Sequence, residues 1–438
     1  MSRLAVAFLL SMLALAAQAQ IGLPGVRLPP LPIVQTPLNG IGNALGTLGV
    51  QSDVNSLQQA RATQIRDLIR RNRATLEADP NGAAIVRNEV VAFSPTDADL
   101  QVIQFAGFTV GRVRVLDGLD ARMVVLQAPP GLSTARALTR LRGLVPVGIF
   151  DFNHVYGESG QVADRTTGAP DVAAGSLTSV ANPTTRVGLI DSGVDNAHPV
   201  FKDGAIHRYG CGEKGVPDAH GTAVASLLVG RSEGFKGAAP GAELYAADVY
   251  CGVATGGAVD VVADALAWLV RERIAVINVS LVGPPNVTLE VVVRLVIARG
   301  FIIVAAVGND GPAAPPLYPA SYPGVIGVTA VDGHRHVLLE AARGPQVRFA
   351  APGADMVAAK SPQAFATVRG TSFAAPLVAG LLAEKLREPD KAAAAQAVED
   401  LAHQAIDLGA RGPDPVYGYG LVAGDLGPDV RLVSLRAH

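Results

Sequence analysis

Charge is scarce in this sequence, and the shortage excludes one class of partner. Charged residues make up only 17% of the chain, and 36 basic residues balance 38 acidic ones to a formal net charge of −2. Nucleic-acid binding usually requires a basic surface, so we expect no nucleic-acid partner. Hydrophobic residues reach 49%, which is typical of a large globular protein with a well-buried interior.

Long apolar runs are also missing beyond the N-terminus. A membrane-spanning helix needs about 20 apolar residues. The most apolar later stretch, residues 291–307, is interrupted by Arg294 and Arg299. We therefore expect no membrane span after the first residues.

The first 19 residues are the exception to this pattern. Arg3 is followed by an apolar stretch over residues 4–16 and then by the small residues Ala17-Gln18-Ala19. This is the layout of a secretory signal peptide with its cleavage site. The stretch is shorter than a membrane anchor requires. Residues 1–19 thus predict an exported protein, either periplasmic or extracellular.

Cysteine is nearly absent, since only Cys211 and Cys251 occur. Neither a Cys-x-x-Cys motif nor a histidine at metal-ligand spacing accompanies them, which disfavours a metal site. In an exported protein such a pair predicts a disulfide. Two free buried thiols are the alternative.

Composition divides the remaining chain into four segments. Residues 20–82 contain a Pro-rich linker and then a basic stretch of helical composition over 56–78. Residues 83–156 follow the order βαββαβ, which is the ferredoxin-like arrangement of a small α+β domain. Residues 157–185 are rich in Gly, Ser, Thr and Pro and predict a linker. The largest segment is 186–438.

Apolar runs alternate with helical stretches throughout this last segment. The runs "RVGLI", "ELYAADV", "AVINVSL", "FIIVAAV" and "GVIGVTAV" are continuous and rich in β-branched residues, as in strands that are buried on both faces. Helices predicted over 258–273 and 289–299 supply crossovers. The predicted fold class is α/β, a doubly wound and mostly parallel sheet preceded by the ferredoxin-like domain. A ligand site is expected at the carboxyl ends of the strands.

Three polar residues stand at such positions. Asp191 ends the first run in "LIDSGVD", His220 opens "HGTAVASLLVG", and Ser372 opens the helical stretch in "VRGTSFAAPLVAG". A serine hydroxyl becomes a good nucleophile when an imidazole accepts its proton and a carboxylate orients that imidazole. Taken singly, each residue has a structural alternative, namely a turn aspartate, a buried or capping histidine and a helix-capping serine. Together they predict a catalytic triad.

The segments "LIDSGVD", "HGTAVAS" and "RGTSFAAP" resemble the three signature segments of the subtilisin-like serine proteases, in the chain order known for subtilisin. The resemblance spans about residues 186–420. It implies a serine endopeptidase in which Ser372 is the nucleophile, His220 the general base and Asp191 its orienting carboxylate. It also implies a protein or peptide substrate and no cofactor, and we expect a monomer.

Residues 83–156 resemble the inhibitory propeptide of the same family. This implies a self-processing zymogen in which the chain's own propeptide is an intramolecular inhibitor. We expect cleavage between His154 and Asp171. A domain that stays covalently attached is the alternative.

Two further segments gain roles from the resemblance. In "AAVGNDGP", the side-chain amide of Asn309 is expected to complete an oxyanion hole with the Ser372 N–H, although a tight turn is the alternative. "INVSLVGP" resembles the family's substrate-binding strand, to which an extended peptide adds as a further strand. Val282 replaces a glycine that is usual in the family and is expected to narrow the adjacent pocket. The expected substrate-binding residues are Ser280, Leu281, Val282, Gly283 and Gly308.

The calcium site that is common in the family is expected to be missing, so no metal is predicted. Val200 stands where a ligand carboxylate is usual, and the short "RSEGFKGAAPGA" replaces an Asn-rich insertion. Hard cations need several oxygen ligands.

Two other functions compete with this prediction. An α/β-hydrolase would use the "GTSFA" turn with a later acid, Asp390 or Asp400, and His403. That interpretation leaves Asp191 and His220 without roles. A non-catalytic peptide-binding module on a protease scaffold is the alternative outside the enzymes.

Overall fold

A computed structural model describes residues 50–167, 185–212 and 215–427 of the 438-residue chain. The predicted signal peptide and the Pro-rich part of the first linker lie outside the described residues. Within them, no helix combines the length and apolar character that a membrane crossing requires.

The N-terminal unit consists of a long helix and a small α+β fold. The helices are α1 (Val50–Arg71), α2 (Asp97–Phe105) and α3 (Thr134–Leu144). The strands are β1 (Leu76–Ala78), β2 (Ala84–Phe93), β3 (Thr109–Leu116), β4 (Ala121–Gln127) and β5 (Ile149–His154), followed by β6 (Gly157–Glu158) and β7 (Gln161–Thr167). β2 to β5 are antiparallel in the order β5-β2-β4-β3, and β1 also pairs with β2. The predicted βαββαβ order is therefore observed, whereas the basic helix ends at Arg71 and residues 76–78 form a strand.

Local sequence and burial account for this unit. Thr96 and Asp99 form a capping box at the start of α2, which satisfies two main-chain N–H groups. One face of the sheet packs on α2 and α3 through a core that includes Ile103, Val124, Leu138, Leu141 and Phe150. The unit thus has a hydrophobic core of its own.

The second unit contains the large sheet. Its strands are β8 (Arg186–Asp191), β9 (Ile206–Tyr209), β10 (Arg231–Ser232), β11 (Phe235–Lys236), β12 (Glu243–Asp248), β13 (Val276–Val279), β14 (Leu281–Val282), β15 (Ile302–Ala306), β16 (Ile326–Val331), β17 (Val347–Pro352), β18 (Met356–Lys360) and β19 (Ala364–Arg369). Its helices are α4 (Ala219–Val229), α5 (Val259–Arg271), α6 (Val287–Ala298), α7 (Thr371–Lys385) and α8 (Lys391–Gln404). Short 3₁₀ turns cover Pro199–Phe201 and Gly424–Leu426.

Seven strands form a parallel sheet in the order β17-β16-β15-β13-β8-β12-β9. Side chains of α4 and α7 pack with one face, and those of α5 and α6 pack with the other. This two-sided burial explains the uninterrupted apolar runs in the sequence. The predicted doubly wound α/β fold is confirmed.

The segment predicted as a linker, residues 157–185, begins with two strands. β6 pairs antiparallel with β14, and β7 pairs antiparallel with β19. Its small polar residues have little intrinsic strand preference, so the pairing depends on partners that are distant in sequence. Residues 168–184 lie outside the described part of the chain.

A partly buried ionic cluster joins the two units. Arg112 of β3 contacts Glu89 at 2.7 Å and Asp260 of α5 at 2.7 Å, and Arg114 also contacts Asp260 at 2.7 Å. Asp260 is fully buried. Burial alone would raise the Asp260 pKa, but the hydrogen bonds and charges of the two arginines lower it overall. The cluster therefore links the two units through contacts that keep the buried Asp260 charge paired.

Candidate active site

Asp191 and His220 meet at the carboxyl edge of the sheet. Asp191 is the last residue of β8, and His220 lies in the first turn of α4, whose N-cap Asp218 accepts a 2.8 Å hydrogen bond from the His220 N–H. His220 Nδ1 lies 2.8 Å from Asp191 Oδ1, and both side chains are buried. Among the described residues His220 Nε2 has no hydrogen-bond partner. The carboxylate therefore orients the ring and leaves its second nitrogen for another group.

The pKa of His220 reflects this acidic environment. Burial lowers the pKa, but the charge and hydrogen bond of Asp191, together with the charges of Glu158 and Asp218, outweigh burial and raise it to about 9. In this arrangement the imidazole is protonated at neutral pH. Loss of an acidic neighbour would lower this pKa.

Ser372 is the second residue of α7. Gly370 precedes the helix with φ of +137°, and a methyl group on it would lie 2.8 Å from Asn309 Nδ2, so both conformation and space require glycine. The Ser372 N–H donates to the carbonyl of Ser159 at 3.1 Å. Its hydroxyl also donates to Ser159 O, and at 3.3 Å to Ser280 O. The hydroxyl is thus directed at a carbonyl group, and no hydrogen bond to His220 occurs among the described residues.

Asn309 lies beside the same residue, Ser159. It follows β15, and its Oδ1 accepts a 3.1 Å hydrogen bond from the Thr371 N–H at the start of α7. That contact directs Nδ2 toward Ser159, whose Oγ accepts from it at 3.0 Å. Gly308, with φ of +100°, donates its N–H to Thr371 Oγ1 at 3.1 Å. The predicted oxyanion-hole amide and the Ser372 N–H therefore approach one residue of a docked segment.

The docked segment is the chain's own residues 156–160, which we call the cleft segment. Gly157 and Glu158 pair antiparallel with Val282 and Leu281, as an added substrate strand would. On the other edge, the Tyr156 N–H donates to Gly257 O at 2.9 Å. The backbone thus lies extended between two parts of the second unit and leads directly to Ser159.

Tyr156 anchors the start of the cleft segment. It is 1% exposed, and its hydroxyl donates to Pro284 O at 2.6 Å. A methyl group on Gly283 would lie 2.6 Å from the Tyr156 ring, so the glycine makes room for it. Gly283 itself exchanges two hydrogen bonds with Tyr318. The predicted substrate-binding stretch therefore contacts the cleft segment through Leu281, Val282 and Gly283.

Sequence reasoning missed Arg61, and it placed the cleft segment only within the expected cleavage window from residue 154 to residue 171. Arg61 of α1 donates to Val282 O at 3.4 Å and lies 3.9 Å from the Asp310 carboxylate. A methyl group on Gly157 would lie 3.4 Å from the Arg61 guanidinium. The helix composition alone suggested a solvated basic face. No local pattern distinguishes Arg61 from the other arginines of α1.

Glu158 lines a cavity of about 310 Å³ at the side of the Asp191–His220 pair. We call this cavity the Glu158 pocket. The other lining residues are Ser192, Gly193, Val216, Asp218, Asp248, Tyr250, Gly252 and Val253.

Two clusters of potential metal ligands occur in the described residues. One is Glu158, Asp191 and His220, which is the site itself. The other is Cys211, Asp248 and Cys251, whose sulfurs are bonded to each other. The predicted disulfide is confirmed, with a Cα–Cα distance of 5.1 Å, and it closes a span of 40 residues that contains His220.

The acid and base required by an α/β-hydrolase have other partners. Asp390 caps α8 by accepting from the Ala393 N–H, and Asp400 accepts from Gln396. His403 is exposed beside Glu399 at 3.8 Å. These contacts lie within α8 and its cap.

Sequence comparisons with known proteins match the second unit of the chain. The profile of the Subtilase family matches residues 182–420. Subtilisin Savinase of Lederbergia lenta is 33% identical over 242 residues, which cover 54% of this chain and 88% of Savinase. The minor extracellular protease Epr of Bacillus subtilis (strain 168) is 30% identical over 242 residues, which cover 54% of this chain and 37% of Epr.

A structural similarity extends beyond the family region. The crystal structure of fervidolysin from Fervidobacterium pennivorans, a keratinolytic enzyme related to subtilisin, superimposes with a TM-score of 0.63 and 21% identity. The match covers 78% of this chain and 61% of fervidolysin, and at this identity it supports the fold alone. The family match covers more than half of the 438 residues and includes Asp191, His220 and Ser372. The chain belongs to the subtilase family, the subtilisin-like serine endopeptidases.

Proposed function

We propose that this chain is an exported serine endopeptidase that is made as a zymogen and processes itself. The observation that carries the proposal is the double contact of Ser372 with Ser159 O, through the main-chain N–H and through the hydroxyl. A carbonyl oxygen in contact with both the nucleophile and its main-chain N–H is where the carbonyl of a bound substrate is expected. The pairing of Gly157 and Glu158 with β14 supports the same conclusion.

In the proposed reaction, Ser372 Oγ attacks the carbonyl carbon of Ser159. His220 Nε2 accepts the hydroxyl proton, and Asp191 stabilises the resulting imidazolium through the other ring nitrogen. Negative charge develops on the Ser159 oxygen. The Ser372 N–H already donates to that oxygen, and the Asn309 amide, which donates to the Ser159 hydroxyl here, would turn to it as a second donor.

The bond from Ser159 to Gly160 then breaks. His220 returns its proton to the Gly160 nitrogen, which leaves as an amine, and Ser159 remains esterified to Ser372. A water molecule hydrolyses the ester, and His220 again acts as base and then as acid. Free protein or peptide substrates would follow the same steps, and the reaction needs no cofactor.

The proposed cleavage site, Ser159–Gly160, lies within the expected window from residue 154 to residue 171. After cleavage, residues 83–156 would remain docked as an inhibitor through the Arg112–Asp260 contacts. Arg61 would extend that inhibitor across the cleft. A permanently attached domain is the alternative, and it predicts an uncleaved chain.

Export is supported by the predicted signal peptide and by the similarity to Epr, which is named an extracellular protease. We propose that the processed enzyme acts as a monomer in the periplasm or outside the cell. Its disulfide agrees with an oxidising compartment.

A serine-directed phosphonate tests the proposed chemistry. We expect it to label the processed wild-type protein at Ser372 and to leave Ser372→Ala unlabelled. Ser372→Ala should also lose several orders of magnitude in turnover of a peptide substrate while it retains its fold. Near-normal turnover in that variant would reject the triad. A folded, processed protein that neither reacts nor hydrolyses would favour the peptide-binding module.

A further inference from the structure

We propose that the Glu158 pocket is a specificity subsite that selects a lysine or arginine side chain at the second residue before the scissile bond. This inference rests on the proposed function, because it takes the cleft segment as a substrate-like strand. Glu158 occupies that second position, since Ser159 provides the carbonyl that contacts Ser372. The pocket around it is therefore a place where substrate side chains enter.

Among the described residues that line the pocket, the charged side chains are acidic, and His220 lies beside them. Asp218 and Asp248 line it together with Glu158 itself. Ligand atoms of Glu158, Asp191 and His220 lie within 4.8 Å of one another. When a substrate replaces the cleft segment, Glu158 leaves the pocket and the aspartates remain.

Buried carboxylate oxygens that accept no hydrogen bond distinguish this pocket from a surface cluster of acids. Asp191 lies beside the pocket without lining it; it is fully buried, and its Oδ2 has no partner among the described residues. Asp248 Oδ2 is also hidden from solvent and has no hydrogen-bond partner among the described residues. It lies close to Gly193, on which a methyl group would approach it to 2.9 Å. Asp248 Oδ1 already accepts from the N–H groups of Tyr250 and Cys251. An ammonium or guanidinium group carries the donors that such oxygens lack.

The fold holds these acids in place by main-chain contacts. Asp218 Oδ1 accepts from the His220 N–H and from the Ser192 hydroxyl. Asp248 is fixed by the turn that leads to the disulfide. A fixed group of like charges attracts a cation and disfavours an anion, so it discriminates between side chains that are equally long.

The chain's own residue at this position is thus unfavourable in its charged form. Burial raises the pKa of Glu158, the charge of His220 opposes burial, and the charges of Asp191 and Asp218 raise the pKa against a smaller opposing hydrogen bond from Ser192. After cleavage, repulsion between Glu158 and the aspartates would weaken the product that ends at Ser159. A residue that the pocket disfavours therefore promotes release of this product from the cleft.

The test uses the processed enzyme and peptides that differ at one position. Quenched fluorescent peptides share Tyr-Gly-Xaa-Ser-Gly, with Lys, Gln or Glu as Xaa. We expect kcat/KM to fall in the order Lys, Gln, Glu, with a ratio of Lys to Glu of about tenfold or more. High salt should reduce the ratio because the charges are partly screened.

Two variants assign the selectivity to the pocket. Asp248→Asn keeps the Oδ1 acceptor and removes the charge, so the ratio of Lys to Glu should fall severalfold. Val253→Arg places a cation at a lining residue that is 56% exposed, and it should shift the preference toward Glu without disturbing the core. Asp203→Asn is the matched control, because it removes one negative charge at an exposed position near the amino end of β12 and should leave the ratio unchanged.

The outcomes separate this inference from the proposed function. Equal kcat/KM for the Lys and Glu peptides, in enzyme that the phosphonate labels, would overturn the pocket assignment alone. A ratio that neither Asp248→Asn nor Val253→Arg alters would do the same. Failure to cleave any peptide, together with failure of labelling, would reject the proposed function as well.

Discussion

The hydroxyl of Ser280 donates a 3.0 Å hydrogen bond to the main-chain carbonyl of Ser372. Pro376 lies four residues further along α7 and has no N–H, so it cannot provide the helical hydrogen bond to that carbonyl. The Ser280 hydroxyl provides the missing hydrogen bond to the Ser372 carbonyl. Asn278 Nδ2 in turn donates to Ser280 Oγ at 2.9 Å. The proline within α7 therefore allows a direct link between the helix of the proposed nucleophile and the strand that binds the cleft segment.

This link predicts a coupling between Ser280 and Pro376. Ser280→Ala leaves a buried carbonyl without a donor and should lower the free energy of unfolding by about 1–3 kcal/mol. Pro376→Ala restores a helical N–H, so the double variant should lose less than Ser280→Ala loses alone. Urea unfolding in a Ser372→Ala background, which prevents self-digestion, measures the coupling. Strictly additive effects would contradict the account.

Self-processing should depend on pH through His220. The neutral imidazole is the base, and its pKa is raised to about 9 while the cleft segment is bound. Below that pH most of the imidazole carries a proton, so the rate should rise as pH increases toward about 9. Glu158→Gln removes a charge that raises this pKa, and it should move the midpoint of the profile to lower pH. Gel analysis of precursor conversion across pH gives both profiles, and identical midpoints would contradict the assignment.

Asn309 should contribute to the rate more than to substrate affinity. Asn309→Ala removes one donor and should reduce kcat by about 10²–10³-fold with a smaller change in KM. Asn309→Asp keeps the acceptor for the Thr371 N–H but loses the donor, and it should reduce kcat at least as much. Steady-state kinetics on a short peptide separates the two roles. If Asn309→Asp retains normal kcat, Asn309 positions α7 and does not stabilise the oxyanion.

Arg61 should prolong inhibition after cleavage. Its contacts with Val282 O and Asp310 hold α1 over the cleft segment, so Arg61→Ala should shorten the lag before full activity appears. Arg66→Ala is the control, since Arg66 lies on the same helix and donates a local hydrogen bond to Thr63. Peptide hydrolysis is followed over time, starting as soon as the full-length precursor has been cleaved. Equal lags for both variants would show that Arg61 has no role in inhibition.

The sequence was most informative where local motifs carry the chemistry. Asp191 and Asn309 each follow a buried strand, and Ser372 starts a helix, so the rule for parallel sheets brings them to one edge. The continuous apolar runs indicated the two-sided sheet. The edge strand β9, Ile206–Tyr209, gave no such signal because its central residues, His207 and Arg208, are polar and exposed.

Contacts between distant segments were beyond the reach of sequence patterns. The cleft segment has a loop-like composition, and its strand conformation depends on pairing with β14 and Gly257. The orientation of Ser372 toward Ser159 rather than His220 also follows from this docking. Arg112 and Arg114 both contact Asp260 although about 150 residues separate them from it. Only the three-dimensional structure relates them.

N-terminal sequencing of the purified protein, made in parallel as wild type and as Ser372→Ala, tests whether the chain cleaves itself. The wild-type second unit should begin at Gly160, and Ser372→Ala should retain the uncut bond between Ser159 and Gly160. Native mass spectrometry should find the released N-terminal fragment still bound at early times. A wild-type chain that remains uncut, or the same Gly160 terminus in both proteins, would contradict self-cleavage.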